Sequence, residues 1–248
     1  MKDSTVTNAI IMAAGFSSRF SPLSQICPKG LLPVKGEVLI ERQIRQLQEA
    51  NIHDIYLVVG YKKELFYYLK DKFQIHIIEN TEYTERNNNS SIYAARDYLD
   101  NSYICSADNY FLENVFSSTE PHAYYSARYA CGSTPEYCLQ TDENGRITDV
   151  TIGGANSWYM FGHVYFDRNF SRQYRTFLEE EYNWPETKQA YWEHIFMHHL
   201  HELSMYIKKF DDSIIQEFDT LEDLKAFDPF YREHTTEELI TYLKQKYV

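Results

Sequence analysis

Residues 8–34 read NAIIMAAGFSSRFSPLSQICPKGLLPV, and the architecture of the chain is legible from them outward. Ala9-Ile10-Ile11-Met12-Ala13-Ala14 is a short apolar run with no polar residue inside it, the pattern of a parallel strand buried on both faces. Gly15 lets the backbone turn, and Ser17 and Ser18 leave small, donor-rich walls. Arg19 and, after Pro28, Lys29 add two spaced cations. A strand that opens into a small-residue loop with two cations suits phosphate. Backbone N–H groups approach the anion closely, and the side chains balance its charge. The loop is neither G-x-x-x-x-G-K-[ST] nor G-x-G-x-x-G.

Strands and helices alternate beyond this loop. Residues 39–50 read as a helix with Ile40, Ile44 and Leu47 on one face, 54–60 as a strand, 62–73 as a helix and 74–78 as a strand. The next strand, 102–107, runs into Asp108-Asn109-Tyr110. Such alternation predicts βαβ units and a mainly parallel sheet. From Pro121 the pattern changes: 123–129, 137–139, 146–152 and 158–166 read as strands of an antiparallel lobe. Residues 170–182 and 188–200 read as helices, and 205–210 and 214–218 as strands paired around Asp211-Asp212-Ser213. Thr220-x-x-Asp223 and Thr235-x-x-Glu238 are capping-box starts for two closing helices. The expected fold is therefore α/β: a Rossmann-like, mainly parallel central sheet flanked by helices, with a small antiparallel lobe. No interdomain linker is evident, so residues 1–248 read as one domain, with halves at about 1–120 and 121–248.

Composition narrows the function classes. A net charge of −12 argues against nonspecific nucleic-acid binding and against an anionic membrane surface. Cys27, Cys105, Cys131 and Cys138 form no C-x-x-C pair, which fits reduced thiols in a cytoplasm. No apolar run reaches membrane-spanning length, and the opening MKDSTVTN lacks a signal-peptide core. A phosphate site in so acidic a chain needs local cations and a metal ion.

Three constellations bear on chemistry. Asp108 falls at the carboxyl end of a predicted strand, where open α/β sheets bind ligands. Glu217 and Asp219 stand two apart at another strand end and point to one face, with Phe218 turned into packing. Together the three carboxylates suit Mg²⁺, which takes a few carboxylates plus phosphate oxygens. Taken alone, Glu217 and Asp219 also read as solvated surface acids. Asn87, Asn88 and Ser91 lie where a loop enters a helix; amides carry the donor and acceptor needed to read a pyrimidine edge, and equally serve as helix caps. His194, His198 and His201 have i, i+4, i+7 spacing that can hold zinc, but the run lacks H-E-x-x-H. It also sits near a helix end, where imidazolium complements the dipole. Aromatic–acid neighbours recur in the second half: Glu136-Tyr137, Trp158-Tyr159 and Tyr191-Trp192-Glu193. They read as core aromatics or as a cage for a cationic head group.

Ala13-Ala14-Gly15-Phe16-Ser17-Ser18-Arg19, Pro22-Leu23 and Pro28-Lys29 resemble the signature of nucleotidyltransferases that make NDP-sugars and CDP-alcohols, with Ser17 and Ser18 in place of the usual glycine and threonine. With Arg86-Asn87-Asn88-x-x-Ser91, Ser106-Ala107-Asp108-Asn109-Tyr110, Tyr191-Trp192-Glu193 and Glu217-Phe218-Asp219-Thr220, the chain is similar over nearly its whole length to bacterial phosphocholine cytidylyltransferases and relatives that activate 2-aminoethylphosphonate. Gly30 departs from the alanine or proline usual in the sugar enzymes. The resemblance implies transfer of CMP from CTP to a small amine-bearing phosphate or phosphonate, phosphocholine first, with Mg²⁺ as cofactor. It implies a CTP site on Ala13 to Arg19, Lys29, Asn87, Asn88, Ser91 and Ala107. It implies an acceptor site on Lys29, Asn109, Glu136, Tyr137, Tyr159, Tyr191 and Trp192, and a metal site on Asp108, Glu217 and Asp219. Arg19, Lys29 and Asp108 are the implied catalytic residues. Some relatives are fused to a kinase or transaminase, so the chain reads as a standalone enzyme or one domain of a fusion. The alternatives are a sugar-1-phosphate nucleotidyltransferase using UTP or dTTP and a nucleotide-binding regulator without turnover.

Overall fold

The computed structural model describes residues 3–247. Its frame is a seven-stranded sheet. In chain order the strands that matter here are β1 (Asn8–Ala13), β2 (Ile55–Val59), β3 (His76–Glu79), β4 (Ser102–Ser106), β5 (Asn109–Phe111), β6 (Tyr124–Thr141), β7 (Ile147–Phe166), β8 (Tyr206–Lys209) and β9 (Ile215–Glu217). The main sheet runs β3-β2-β1-β4-β7-β6-β8, and β5 pairs with β9 in a separate ribbon. β1 is parallel to β2 and β4, and β2 to β3; β7 is antiparallel to β4 and β6.

Alternation along the parallel strands divides the interior into two cores. Ile11, Leu57 and Val59 face one side, against α1 (Leu39–Glu49) through Ile40, Ile44 and Leu47. Ile10, Val58 and Ile104 face the other, against Phe170, Tyr174, Trp192 and Phe196. This is the period-2 geometry of a strand covered on both faces. Each large apolar side chain buried this way contributes roughly 1.5–3 kcal/mol, so the loops at the strand ends stand on a rigid base.

The parallel half matches the expectation closely. The antiparallel half differs in three places. The four short strands expected between 123 and 166 are two long ones, β6 and β7, continuous through bulges at Ala130/Ser133 and Thr134/Tyr137. Bulges keep a twisted pair hydrogen-bonded where strict alternation fails. The expected hairpin around Asp211-Asp212-Ser213 does not form: β8 joins the main sheet beside β6, and β9 pairs with β5. The helix expected over 188–200 shrinks to Glu193–His198. The carbonyls of Thr187, Lys188, Gln189 and Ala190 accept from Asn89 Nδ2, Asn87 N and Asn87 Nδ2, which ties this segment to the Asn-rich loop, and Thr187 O also takes Ala190 N at 3.1 Å in a single tight turn.

Both capping boxes form: Thr220 with Asp223, and Thr235 with Glu238. No helix of the described residues is long and apolar enough to cross a membrane.

Candidate active site

β1 lies between β2 and β4 where the strand order reverses, and two cavities open at the carboxyl ends of these strands. The first, about 500 Å³, is lined by every residue expected to hold the nucleotide: Ala13, Ala14, Gly15, Phe16, Ser17, Ser18, Arg19, Lys29, Asn87, Asn88, Ser91 and Ala107. The second, about 370 Å³, is lined by Asn109, Glu136, Tyr137, Tyr191 and Trp192 from the expected acceptor set. Arg19, Lys29, Asp108 and Asp219 line both. The cations and two of the carboxylates therefore stand at the junction of the two spaces.

The loop after β1 reaches this junction by two local devices. Ser17 has φ of 53°, in the left-handed region where glycine is unstrained. Its hydroxyl accepts from Lys29 N at 3.2 Å, a tie that a glycine could not make. Gly30 then meets the strand end that carries Asp108: a Cβ there would lie 3.0 Å from Ala107 Cβ and 3.3 Å from Ala107 O. Two of the three departures from the family signature, Ser17 and Gly30, have a physical reason here. One latches the Lys29 turn to the loop, and the other lets that turn press against Ala107.

Lys29 Nζ pairs with Asp108 Oδ2, lies 3.5 Å from Asp219 Oδ1 and donates to Phe218 O at 3.4 Å. Arg19 pairs with Asp219 at 2.7 Å. Burial works against the Lys29 ammonium, but Asp108, with help from Asp219 and Glu217, raises its pKa and holds it charged. Burial likewise opposes ionisation of Asp108, and Lys29 outweighs it, keeping the carboxyl below its usual range. Glu217 goes the other way: burial, then the charges of Asp108 and Asp219, push it up to about 8. Ligand oxygens of Asp108, Glu217 and Asp219 lie within 4.8 Å of one another, and Asp108 Oδ1 is buried without a partner among the described residues. An all-oxygen cluster with an unpartnered buried oxygen and a destabilised carboxylate is matched to a hard divalent cation. The capping box fixes the backbone here, since Asp223 also accepts from Asp219 N at 3.0 Å. Phe218 is buried against Phe227, as its place between two acids requires.

The Asn-rich loop is tied by hydrogen bonds to the segment that follows residue 181. Asn87 is engaged at both ends of its amide, accepting from Asn88 N at 2.8 Å and donating to Gln189 O at 3.2 Å. Asn88 Oδ1 accepts from Trp192 N at 2.9 Å. Arg86 donates to Tyr182 O and stacks 4.0 Å from the Tyr182 ring. The loop of one cavity is thereby stitched to the segment that lines the other.

Several residues of the site escaped sequence reading. Asn80, just past β3, lines the first cavity and donates to Ser90 and Ser91. The strand-end rule that singled out Asp108 applies to it equally. Tyr125 is another such residue: it lines the second cavity beside Glu193, a member of the Tyr191-Trp192-Glu193 pattern, and its hydroxyl donates to Glu193 Oε1 at 3.0 Å. Burial, partly offset by a backbone N–H and by Tyr125, pushes Glu193 up to about 7. Tyr159 does not line either cavity; it stands behind Phe161, which does, in an edge-on contact with centroids 5.7 Å apart. The histidines do not converge as a metal site. His194 meets the Tyr137 hydroxyl at 3.1 Å, and His198 and His199 meet the buried Glu181 at 3.2 and 2.5 Å.

A Rossmann-like sheet with a cation-bearing loop and clustered carboxylates at its switch point defines a nucleotidyltransferase. The comparisons agree. The MobA-like NTP transferase domain matches residues 9–132. The 2-aminoethylphosphonate cytidylyltransferase of Lancefieldella rimae is 36% identical over 229 residues, covering 91% of this chain and 93% of that one. The choline-phosphate cytidylyltransferase of Streptococcus pneumoniae is 31% identical over 220 residues, covering 89% and 96%. The solved structure of the CTP:phosphocholine cytidylyltransferase from Streptococcus pneumoniae superposes with a TM-score of 0.86, covering 90% of this chain and 98% of that one. The chain belongs to the nucleotidyltransferases with a MobA-like NTP transferase domain, and among them to the cytidylyltransferase family of these 2-aminoethylphosphonate and choline-phosphate enzymes.

Proposed function

We propose that this enzyme transfers CMP from CTP to a small phosphonate or phosphate bearing a primary amine, 2-aminoethylphosphonate first, and releases pyrophosphate. The observation that carries this reading is the placement of Arg19, Lys29, Asp108 and Asp219 on the shared wall of the two cavities. A transfer between two bound substrates needs its charge-neutralising groups where the two meet.

In the proposed reaction CTP occupies the first cavity, its phosphates along Gly15 to Arg19. The acceptor occupies the second, its anionic oxygen toward Lys29. That oxygen attacks the α-phosphorus in line, the bond to the β-phosphate oxygen breaks, and pyrophosphate carries off the electron pair. The acceptor oxygen is already ionised at neutral pH, so no general base is required. Catalysis is positioning plus charge balance. Lys29 holds the acceptor oxygen against the α-phosphate, and Arg19 leaves Asp219 to meet the departing pyrophosphate. Asp108, Glu217 and Asp219 would hold Mg²⁺, which when bound neutralises charge on the phosphate oxygens. Asn88 keeps its NH₂ group for an acceptor atom of the cytosine edge, its carbonyl being engaged by Trp192.

The amine preference rests on Glu193. Its Oε2 is buried with no partner among the described residues, and a primary ammonium brings the directed donors such an atom lacks. A second reading, phosphocholine, is favoured by the aromatic faces of Tyr137, Tyr191 and Trp192, which suit a quaternary ammonium. The test is pyrophosphate release from CTP, UTP and dTTP against 2-aminoethylphosphonate, phosphoethanolamine, phosphocholine and glucose-1-phosphate, with Mg²⁺ or with chelator. CTP with 2-aminoethylphosphonate should give the highest kcat/KM, and chelator should abolish it. Turnover confined to glucose-1-phosphate with UTP or dTTP would overturn the reading.

A further inference from the structure

Resting on that amine-acceptor reading, we propose that Tyr125 is a positioning residue that sets the class of head group accepted, by fixing the Glu193 carboxylate for a primary ammonium. Tyr125 comes from β6, the first strand of the antiparallel pair, whereas Glu193 opens the short helix after the Asn-stitched segment. The two meet only in the folded chain. The Tyr125 ring lies parallel to Trp192, with centroids 5.8 Å apart and 4° between planes. Its hydroxyl donates to Glu193 Oε1 at 3.0 Å. The other oxygen, Oε2, is buried and has no partner among the described residues. Both side chains line the second cavity.

One oxygen is therefore anchored and its twin is left over. Anchoring matters because a free glutamate samples many rotamers, and a carboxylate that must meet a small ammonium at hydrogen-bond distance has to be held in one of them. A primary ammonium has three N–H donors and depends on such directed acceptors. A trimethylammonium group has none; it is held by aromatic faces and diffuse negative charge. The hydroxyl of Tyr125 therefore bears on one head-group class and not on the other. The ring itself, stacked on Trp192, serves both.

The substitution that separates these parts is Tyr125→Phe in the full chain, which keeps the ring and removes the anchor. With CTP saturating, KM for 2-aminoethylphosphonate should rise about tenfold or more, the lower end of one lost hydrogen bond to a charged group. The kcat, KM for CTP and kcat/KM for phosphocholine should each stay within about twofold. A structural role alone would move all four together, and that result overturns the proposal, as does an unchanged KM for 2-aminoethylphosphonate. Glu193→Gln, run alongside, separates the two levels. If Glu193→Gln removes the preference for 2-aminoethylphosphonate over phosphocholine and Tyr125→Phe does not, the Tyr125 assignment falls and the acceptor reading stands. If Glu193→Gln leaves the preference intact, the Glu193 and Tyr125 assignments fall together and the acceptor reading stands; a wild-type enzyme that shows no preference for 2-aminoethylphosphonate over phosphocholine removes the acceptor reading itself. Circular dichroism and the melting temperature of both variants exclude misfolding as the cause.

Discussion

Asn88 Oδ1 accepts a hydrogen bond from Trp192 N at 2.9 Å, joining the rim of the first cavity to the wall of the second. The two residues are more than a hundred positions apart. The bond also satisfies a backbone N–H at the start of the Glu193–His198 helix. One side chain thus serves two spaces, and its two ends can be removed separately.

Asn88→Asp keeps the oxygen that caps Trp192 and removes the NH₂ group. KM for CTP should rise about tenfold, with KM for the acceptor little changed. Asn88→Ala removes both ends, so both KM values should rise, and urea denaturation should show a loss of roughly 1 kcal/mol. Steady-state kinetics with each substrate varied in turn distinguishes the patterns.

Lys29→Ala and Asp108→Asn should each lower the rate of pyrophosphate release by about 10²–10³-fold, the scale of removing one preorganised charge from a phosphate site. Far-UV circular dichroism should be unchanged, since neither side chain belongs to the two apolar cores. Near-normal release from either variant would remove that residue from the mechanism.

Ser17→Gly sets two effects against each other. Relief of the left-handed backbone at φ 53° gains about 1 kcal/mol, and loss of the hydroxyl that accepts from Lys29 N costs about as much. Stability by chemical denaturation should therefore stay within about 1 kcal/mol. Turnover should fall several-fold, because the Lys29 turn loses its latch. A variant with wild-type turnover would show that the latch is dispensable.

Glu193→Gln should stabilise the protein at pH 8 while impairing use of the amine acceptor. The folded-state pKa is pushed up from 4.5 to about 7. Below 4.5 both folded and unfolded chains hold the proton, and the carboxyl costs nothing. Between 4.5 and 7 the unfolded chain releases its proton and the folded chain keeps it, so the penalty grows with pH and is complete above 7. Glutamine escapes it, a gain on the order of 1–3 kcal/mol at pH 8 that vanishes near pH 4. Melting temperatures measured at both pH values read the difference directly.

Legibility followed the range of the interactions. The lining of the first cavity was readable because its parts lie in short contiguous motifs. An apolar run, a small-residue turn and spaced cations announce themselves locally, and all twelve expected residues line the first cavity. Asp108, Glu217 and Asp219 were readable as strand ends, since two-residue periodicity fixes the direction of a side chain. The acceptor side was harder. Tyr159 belongs to the same aromatic–acid pattern as Tyr137, yet strand pairing sets it behind Phe161. Nothing local distinguishes the two. The helix expected over 188–200 starts only at Glu193, and the segment before it is tied through its carbonyls to an asparagine loop distant in sequence.

By itself the sequence determined a parallel sheet with a small-residue, cation-bearing loop after its first strand, because backbone sterics and burial periodicity act over a few residues. Only the tertiary structure decided which aromatic residues face the second cavity, that Tyr125 anchors Glu193, and that Asn88 joins the two spaces. Those are contacts between strands and loops far apart in the chain, chosen by register and packing that no local pattern encodes.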